Sequence, residues 1–384
     1  MYYIAPLLFG LAYGAIKEQH LVVFGDSLSD IGNIEQVNID RPRWDGRFSN
    51  GPVYTEYLAE YTNRTMLNYA FGSAVSNNTF IKPLIDVPSV QEQIHSYEKV
   101  FKYMKIDSND VAIIGVGSND ILIGIVTGKS DIKTFTEELV SNIMKSVMRV
   151  HALGYRKLVI LGIPSLSVTP EVAILPNRIK RMFDQMVTET NKKIEQEIKN
   201  LVTRNQDSID YIRMVNLFDI FHLVIEPNVT KALGISDYKH ACYEIAFGKL
   251  ISQCEYPDEH AFIDSVHPNT KLHALIGAVC AEILADPGFN ITQLSVLESI
   301  KKYKIDQIKG EKGQLFPNKF FRTKSLPVKQ YTATMAEANS KQILDRQIHN
   351  DEITNTTTKS SASKDMDKEV PLLATILLIF GCIY

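Results

Sequence analysis

The most informative segment is His20-Leu-Val-Val-Phe-Gly-Asp-Ser-Leu-Ser-Asp-Ile-Gly-Asn33. Its apolar, β-branched start predicts a buried strand that ends at Gly25-Asp26. Ser27 follows at once, where a helix or a tight turn should begin. Because open α/β sheets bind ligands at the carboxyl ends of their strands, the Ser27 hydroxyl is a candidate functional group.

A second segment, Asp264-Ser-Val-His267-Pro, lies far along the chain from Ser27. A carboxylate three residues before a histidine is close enough to orient the imidazole ring. Serine, histidine and aspartate are together the groups that nucleophilic acyl transfer requires. The two segments therefore point to one site that is assembled from distant parts of the chain.

Four segments, in this order, resemble the conserved blocks of the GDSL, or SGNH, hydrolase family. They are residues 24–33, 68–74 (Asn-Tyr-Ala-Phe-Gly-Ser-Ala), 117–120 (Gly-Ser-Asn-Asp) and 264–268. Residues 47–54 (Arg-Phe-Ser-Asn-Gly-Pro-Val-Tyr) are similar to the secreted, lipase-like branch. The resemblance implies an α/β fold, a three-layer α/β/α sandwich around a central, mostly parallel five-stranded sheet.

The resemblance also implies the roles of the site residues. Ser27 would be the nucleophile, His267 its general base and Asp264 the residue that orients the base. The oxyanion hole would use the Ser27 N–H, a backbone N–H of the Gly72-Ser73 step, and the Asn119 amide. Relatives commonly have glycine at the second position of that step, so the choice between Gly72 and Ser73 stays open.

Alternating strand and helix patterns support this arrangement independently. Repeated βαβ units imply a parallel sheet, with Ser27, Gly72 and Asn119 each following a strand at the same edge. The patterns predict strands at residues 20–25, 66–70, 111–116, 158–162 and 211–215. They predict helices at residues 52–61, 89–103, 130–153, 177–203 and 270–285.

Each motif alone has a simpler explanation. Asp26-Ser27 and Asn119-Asp120 could cap helices, and Asp264 with His267 could form a surface turn. The ordered combination favours catalysis. The single tryptophan, Trp44, could line the substrate cleft or fill the fold.

Composition limits the remaining possibilities. The chain has 384 residues, 45% of them hydrophobic, and a net charge of −3, which gives no argument for a nucleic-acid partner. It has neither a phosphate-binding glycine loop nor a paired Cys-x-x-Cys site, so we expect no metal and no organic cofactor.

The ends of the chain predict export. Residues 1–14 are typical of a signal peptide, with a buried or disordered N-terminus as the alternative. The hydrolase domain would span residues 15–297, and a basic, then Ser/Thr-rich linker would follow over 298–363. Residues 364–384 are typical of a GPI-attachment signal or a retained membrane anchor. We therefore expect a secreted or cell-surface protein that associates with the membrane through its tail.

Cysteines and sequons agree with that location. Cys242 and Cys254 flank a short loop and would form a disulfide in an exported protein, with two free thiols as the alternative. Five Asn-x-Ser/Thr sequons are candidate glycosylation sites: Asn63, Asn77, Asn228, Asn290 and Asn355.

The sequence thus predicts a serine esterase that needs no cofactor. It would hydrolyse lipid acyl esters or acetylated carbohydrate through an acyl-enzyme on Ser27. The alternative is a non-catalytic surface-binding protein that retains the hydrolase fold, supported only by the altered Gly72-Ser73 step. The oligomeric state is not predicted.

Overall fold

A computed structural model describes residues 18–36, 43–83, 85–101, 106–129, 131–246, 249–311 and 326–333. The strands are β1 (His20–Gly25), β2 (Thr65–Asn68), β3 (Val111–Gly115), β4 (Lys157–Leu161), β5 (Tyr211–Val215), β6 (Asp237–Ala241), β7 (Tyr243–Ala246), β8 (Lys249–Gln253), β9 (His260–Phe262) and β10 (Gln330–Thr332). The helices are α1 (Tyr54–Thr62), α2 (Val90–Phe101), α3 (Ser118–Val126), α4 (Ile132–Ala152), α5 (Pro170–Ala173), α6 (Asn177–Arg204), α7 (Leu217–Val224), α8 (Pro227–Leu233), α9 (Thr270–Ala285) and α10 (Gln293–Lys302).

The central sheet has the strand order β10-β2-β1-β3-β4-β5, and every neighbouring pair is parallel. Parallel pairing requires crossover connections, and helices supply them on both faces. Side chains of β1 alternate between the two apolar cores: Val22 and Phe24 pack on one face, and Leu21 and Val23 pack on the other. The predicted three-layer α/β/α sandwich is therefore confirmed.

The sheet has one strand more than the five that the sequence predicts. The additional strand, β10, pairs with β2 at the edge of the sheet. It is three residues long and follows a region without clear periodicity, so the sequence pattern does not predict it. The strand is recognised only from its pairing with β2. Leu326 and Val328 pack on the core beside it, and α10 packs there as well. The packed region therefore continues past residue 297, where the sequence placed the end of the domain.

A smaller substructure is linked to the loop that holds His267. The strands β7 and β8 form an antiparallel hairpin, and Cys242 and Cys254 form a disulfide at its base. Trp44 is 4% exposed and packs here with Cys242, so it fills the fold. The backbone N–H of Tyr243 donates to Ile263 O, which ties the hairpin to the segment that precedes Asp264.

Several predictions fall outside the described residues. They are the signal peptide over residues 1–14, the tail over residues 364–384, most of the linker, and the sequon at Asn355. Among the helices that are described, none combines the length and the apolar character needed to cross a bilayer.

Candidate active site

The fold brings Ser27, His267 and Asp264 together, although Ser27 and His267 are 240 positions apart. Ser27 lies in the turn directly after β1, and His267 lies in the loop that leads into α9. The Ser27 Oγ is 2.8 Å from His267 Nε2, and His267 Nδ1 is 2.7 Å from Asp264 Oδ2. All three residues are at least nine-tenths buried. This is the geometry of a nucleophile, its base and the group that orients the base.

Asp264 holds the backbone of this loop as well as the imidazole. Its Oδ1 accepts the backbone N–H groups of Val266 at 3.0 Å and His267 at 2.8 Å. The loop is closed further by the Ile263 N–H, which donates to His267 O at 2.8 Å. In the tautomer that donates Nδ1–H to the carboxylate, the imidazole presents Nε2 as an acceptor to the serine hydroxyl.

The electrostatics keep Asp264 ionised. Burial alone would raise the pKa of Asp264, but the charge and hydrogen bonds of His267 and the two backbone donors outweigh burial. The pKa therefore lies below its ordinary value. A carboxylate in this position stabilises the imidazolium that forms when the base takes a proton.

Asn119 is fixed at the start of α3 and lines the same cleft as Ser27 and His267. Its Nδ2 donates to Ala74 O at 2.9 Å, and the side chain is 7% exposed. An amide carries two N–H groups, so one remains for a ligand. The bond to Ala74 orients that second donor.

The geometry distinguishes Gly72 from Ser73. The Gly72 N–H donates to Asp30 Oδ2 at 2.6 Å, and Gly72 does not line the cleft. Ser73 does line the cleft, and among the residues that the structure describes its N–H has no hydrogen-bond partner. Its backbone is left-handed, with φ of 66°. This explains why glycine suits the second position, because a side chain is strained there.

Gly72 has a different reason to be glycine. A Cβ at this position would lie 2.3 Å from the Phe48 ring. Phe48 in turn packs against His267, with ring centroids 4.8 Å apart. The Gly72 backbone thus leaves room for an aromatic side chain that contacts the base. The sequence indicated the segment that contains Phe48 only through its similarity to the secreted, lipase-like branch, and it predicted no role for the Phe48 ring.

Glu171 makes a further contact, with Ser265, that the sequence did not predict. Its Oε2 accepts the Ser265 hydroxyl at 2.7 Å, and its N–H donates to Ser265 O at 3.0 Å. These bonds join α5 to the loop between Asp264 and His267. The two residues are 94 positions apart and form no motif, so no local signal could have revealed the contact.

Three buried aspartates lie around the nucleophile. Burial raises the pKa of Asp26 to about 7, and it raises the pKa values of Asp30 and Asp120 each to about 6. Asp120 accepts hydrogen bonds from the Ser76 hydroxyl at 2.6 Å and from the Ser76 N–H. These bonds lower the pKa of Asp120, but they only partly offset the increase that burial causes. A carboxyl group whose folded-state pKa is raised favours the folded state most at low pH, and that contribution is lost as pH rises through the folded-state value.

An Asp120→Asn variant tests this pH dependence. We expect its unfolding free energy to fall less steeply than that of the wild type between pH 4 and pH 7, because asparagine carries no charge to desolvate. The difference scales as about 1.4 kcal/mol per unit by which the pKa is raised. Urea unfolding at several pH values measures it, with Asp219→Asn on the exposed surface of α7 as the control. If the unfolding free energy changed with pH in the same way in all three proteins, that result would contradict a raised pKa for Asp120.

The remaining predicted residues lie away from the cleft. Asn63, Asn228 and Asn290 are exposed, whereas Asn77 is half-buried and its side chain is hydrogen-bonded. In the part of the chain that the structure describes, one trio of metal-ligand side chains is clustered: Cys242, Cys254 and His260. Its two sulfurs are joined in the disulfide, and the thiolates that bind metals are therefore not available.

The fold and the triad define a serine hydrolase built on an α/β/α sandwich. The chain belongs to the GDSL-like lipase/acylhydrolase family, whose model matches residues 21–279. It is 22% identical to a GDSL esterase/lipase of Arabidopsis thaliana, over 69% of this chain and 86% of that protein. It is 27% identical to a phosphatidylcholine-sterol acyltransferase of Aeromonas hydrophila, over 70% of this chain and 78% of that protein.

Other similarities are partial. The chain spans 54% of a second Arabidopsis thaliana GDSL esterase/lipase, to which it is 27% identical. A solved structure of a lipolytic G-D-S-L family protein from Veillonella parvula aligns with 70% of this chain and 98% of its own, at 13% identity and a TM-score of 0.38. The fold assignment accordingly depends on the strand order and the two cores described above.

Proposed function

We propose that this protein hydrolyses carboxylic esters through an acyl-enzyme on Ser27. The observation that carries the proposal is the continuous hydrogen-bonded chain from Ser27 Oγ through His267 to Asp264. An alcohol becomes an effective nucleophile when a base takes its proton during attack. Purified protein should therefore release nitrophenolate from a p-nitrophenyl ester. No release from any short or long ester would favour a non-catalytic binding protein.

The reaction has two halves. As Ser27 Oγ bonds to the ester carbonyl carbon, its proton moves to His267 Nε2, and the carbonyl oxygen becomes an oxyanion. The bond from carbon to the alcohol oxygen then breaks, and the alcohol leaves with the proton from His267. In the second half, water gives a proton to His267 Nε2 as its oxygen bonds to the acyl carbon. The bond from that carbon to Ser27 Oγ then breaks, the acid leaves, and His267 returns the proton to Ser27 Oγ.

Three donors would stabilise the oxyanion: the backbone N–H groups of Ser27 and Ser73 and the free N–H of the Asn119 amide. The assignment of Ser73 is supported by the bond that commits the Gly72 N–H to Asp30. The Ser27 N–H, like that of Ser73, has no hydrogen-bond partner within the described ranges. The serine at position 73 therefore leaves the backbone donor available, which removes the argument for the non-catalytic alternative.

An Asn119→Ala variant should lose on the order of 10²–10³ in kcat, because one of the three donors to the oxyanion is gone. The loss should appear in kcat more than in KM, since the donor acts on charge that develops during the reaction. Asn142→Ala is the matched control, because Asn142 is 3% exposed on α4 and lies outside the cleft. Equal losses in the two variants would contradict the role of Asn119.

A Ser73→Gly variant should keep kcat/KM within about threefold of the wild type and should unfold at the same or a higher temperature. Glycine retains the backbone N–H and adopts a left-handed conformation without the cost, about 1–2 kcal/mol, that other residues meet there. Thermal unfolding and ester turnover measure the two effects. A tenfold loss of activity would instead assign the function to the Ser73 hydroxyl.

Separate features support the proposed substrate class and the proposed location. Lipid acyl esters and acetylated carbohydrate remain the two candidate substrates, and the Aeromonas relative named for phosphatidylcholine supports the lipid alternative. The Cys242–Cys254 disulfide is typical of exported proteins. The exposed sequons at Asn63, Asn228 and Asn290 fit the same route. We propose a secreted or cell-surface enzyme, with a cleaved N-terminal signal and membrane association through the tail.

A further inference from the structure

The space at Ser27 is small. The cleft contains about 550 Å³ of empty space when its open mouth is included, but only about 40 Å³ is wide enough to hold the centre of a water-sized group. A cavity that holds benzene measures about 150 Å³, so the narrow part of the cleft is small for anything beyond a short acyl group such as acetyl.

In the part of the chain that the structure describes, the cleft does not continue into a buried channel. The cavity that adjoins it shares Asp26, Leu28, Ser118 and Pro164 with the cleft wall and measures about 10 Å³. That is room for roughly one water molecule. Larger grooves of about 660 and 440 Å³ lie elsewhere, and neither is lined by Ser27, Asp264 or His267. Within the described residues, a long acyl chain therefore has no enclosed path from Ser27.

The two arms of an ester meet different walls of the cleft. Asn119 and Leu122 lie three residues apart on α3, so they share one face of the helix, and both line the cleft. The acyl carbon, whose oxyanion faces Asn119, is thus beside Leu122. The alcohol takes its proton from His267, which is next to the half-buried Val266. The alcohol arm therefore faces the loop that holds His267.

The wall of the cleft includes residues that cannot move aside easily. Leu122 and Leu166 are each 3% exposed and belong to the packed core between the sheet and α4 and α6. Phe221, on α7, is 2% exposed and belongs to the opposite core. Close-packed interiors resist added volume, since an extra methylene forces side chains away from their preferred rotamers.

We propose that the acyl site takes acetyl and similarly short acyl groups, whatever the alcohol, and that Leu122 and Leu166 set this limit. The proposal rests on the ester hydrolysis proposed above and narrows its substrate class. It favours acetyl esters, such as those of carbohydrates, over long-chain lipid esters.

The test compares p-nitrophenyl acetate, butyrate and octanoate below their aggregation concentrations. For the wild type we expect kcat/KM to fall at least ~10-fold from acetate to octanoate. In Leu122→Ala and Leu166→Ala, the ratio of kcat/KM for octanoate to kcat/KM for acetate should rise ~10-fold. The control is Leu139→Ala, since Leu139 is fully buried in the same core but does not line the cleft. Its ratio should stay within about twofold of the wild type.

A ratio of two substrates does not depend on how much of each variant is folded, so destabilised variants remain informative. Equal or faster turnover of octanoate by the wild type would overturn the acyl-length limit while leaving ester hydrolysis intact. A ratio that shifts as much in Leu139→Ala as in the cleft variants would also overturn it. Failure to turn over any of the three esters, with no labelling of Ser27 by a fluorophosphonate, would instead refute the proposed function.

Discussion

Replacing Ser27 with alanine is expected to lower kcat for ester hydrolysis on the order of 10⁶-fold. The hydroxyl is the group of the triad that bonds to the carbonyl carbon, and without it His267 has only water to deprotonate. The fold should persist, because within the described residues the Ser27 side chain bonds only to His267. Steady-state turnover and circular dichroism measure the two expectations.

The matched control for this variant is Ser29→Ala. Ser29 is two residues along the same turn, is 1% exposed, and bonds through its hydroxyl to Tyr54 Oη at 2.9 Å. Its loss should lower the free energy of unfolding by about 1 kcal/mol and leave kcat nearly unchanged. If the Ser27 variant kept more than about one hundredth of the wild-type activity, another nucleophile would have to be present.

An Asp264→Asn variant is expected to lose about 10⁴ in kcat. An asparagine oxygen can still accept the backbone N–H groups that Asp264 Oδ1 holds, so the loop should keep its shape. The remaining amide N–H₂ then faces His267 Nδ1 and favours the tautomer with its proton on Nε2. That tautomer cannot take the proton of Ser27.

The control for this variant is Asp258→Asn. Asp258 is 4% exposed, and its Oδ1 accepts hydrogen bonds from Asn50 Nδ2 and the Gly310 N–H, away from the cleft. Turnover in this control should follow the amount of folded protein. Nearly full activity in Asp264→Asn would show that the carboxylate does not orient the base.

Much of the fold and the core of the site could be predicted because local patterns and topology act together. Apolar β-branched runs locate β1 to β5 of the central sheet to within two residues at either end. Since parallel strands end at one edge, residues that follow different strands meet there even when they are far apart in sequence. This is why Ser27 and Asn119 could be placed in one site before any contact was known.

What the sequence left open depends on contacts between distant residues. The choice between Gly72 and Ser73 depends on the bond from Gly72 to Asp30, 42 positions away. The helix α3 was not predicted, because its apolar residues from Ile121 onward have no amphipathic pattern. The narrow acyl side of the cleft is set by Leu122 and Leu166, which come from separate elements and share no motif.

We infer that Ser27 forms the covalent bond to the acyl group. The most direct test is to treat the protein with a fluorophosphonate and to locate the adduct by peptide mass spectrometry. We expect one adduct per chain on Ser27, with ester turnover lost in proportion to labelling. An adduct on another residue, or ester turnover that persists when Ser27 is fully modified, would contradict the account.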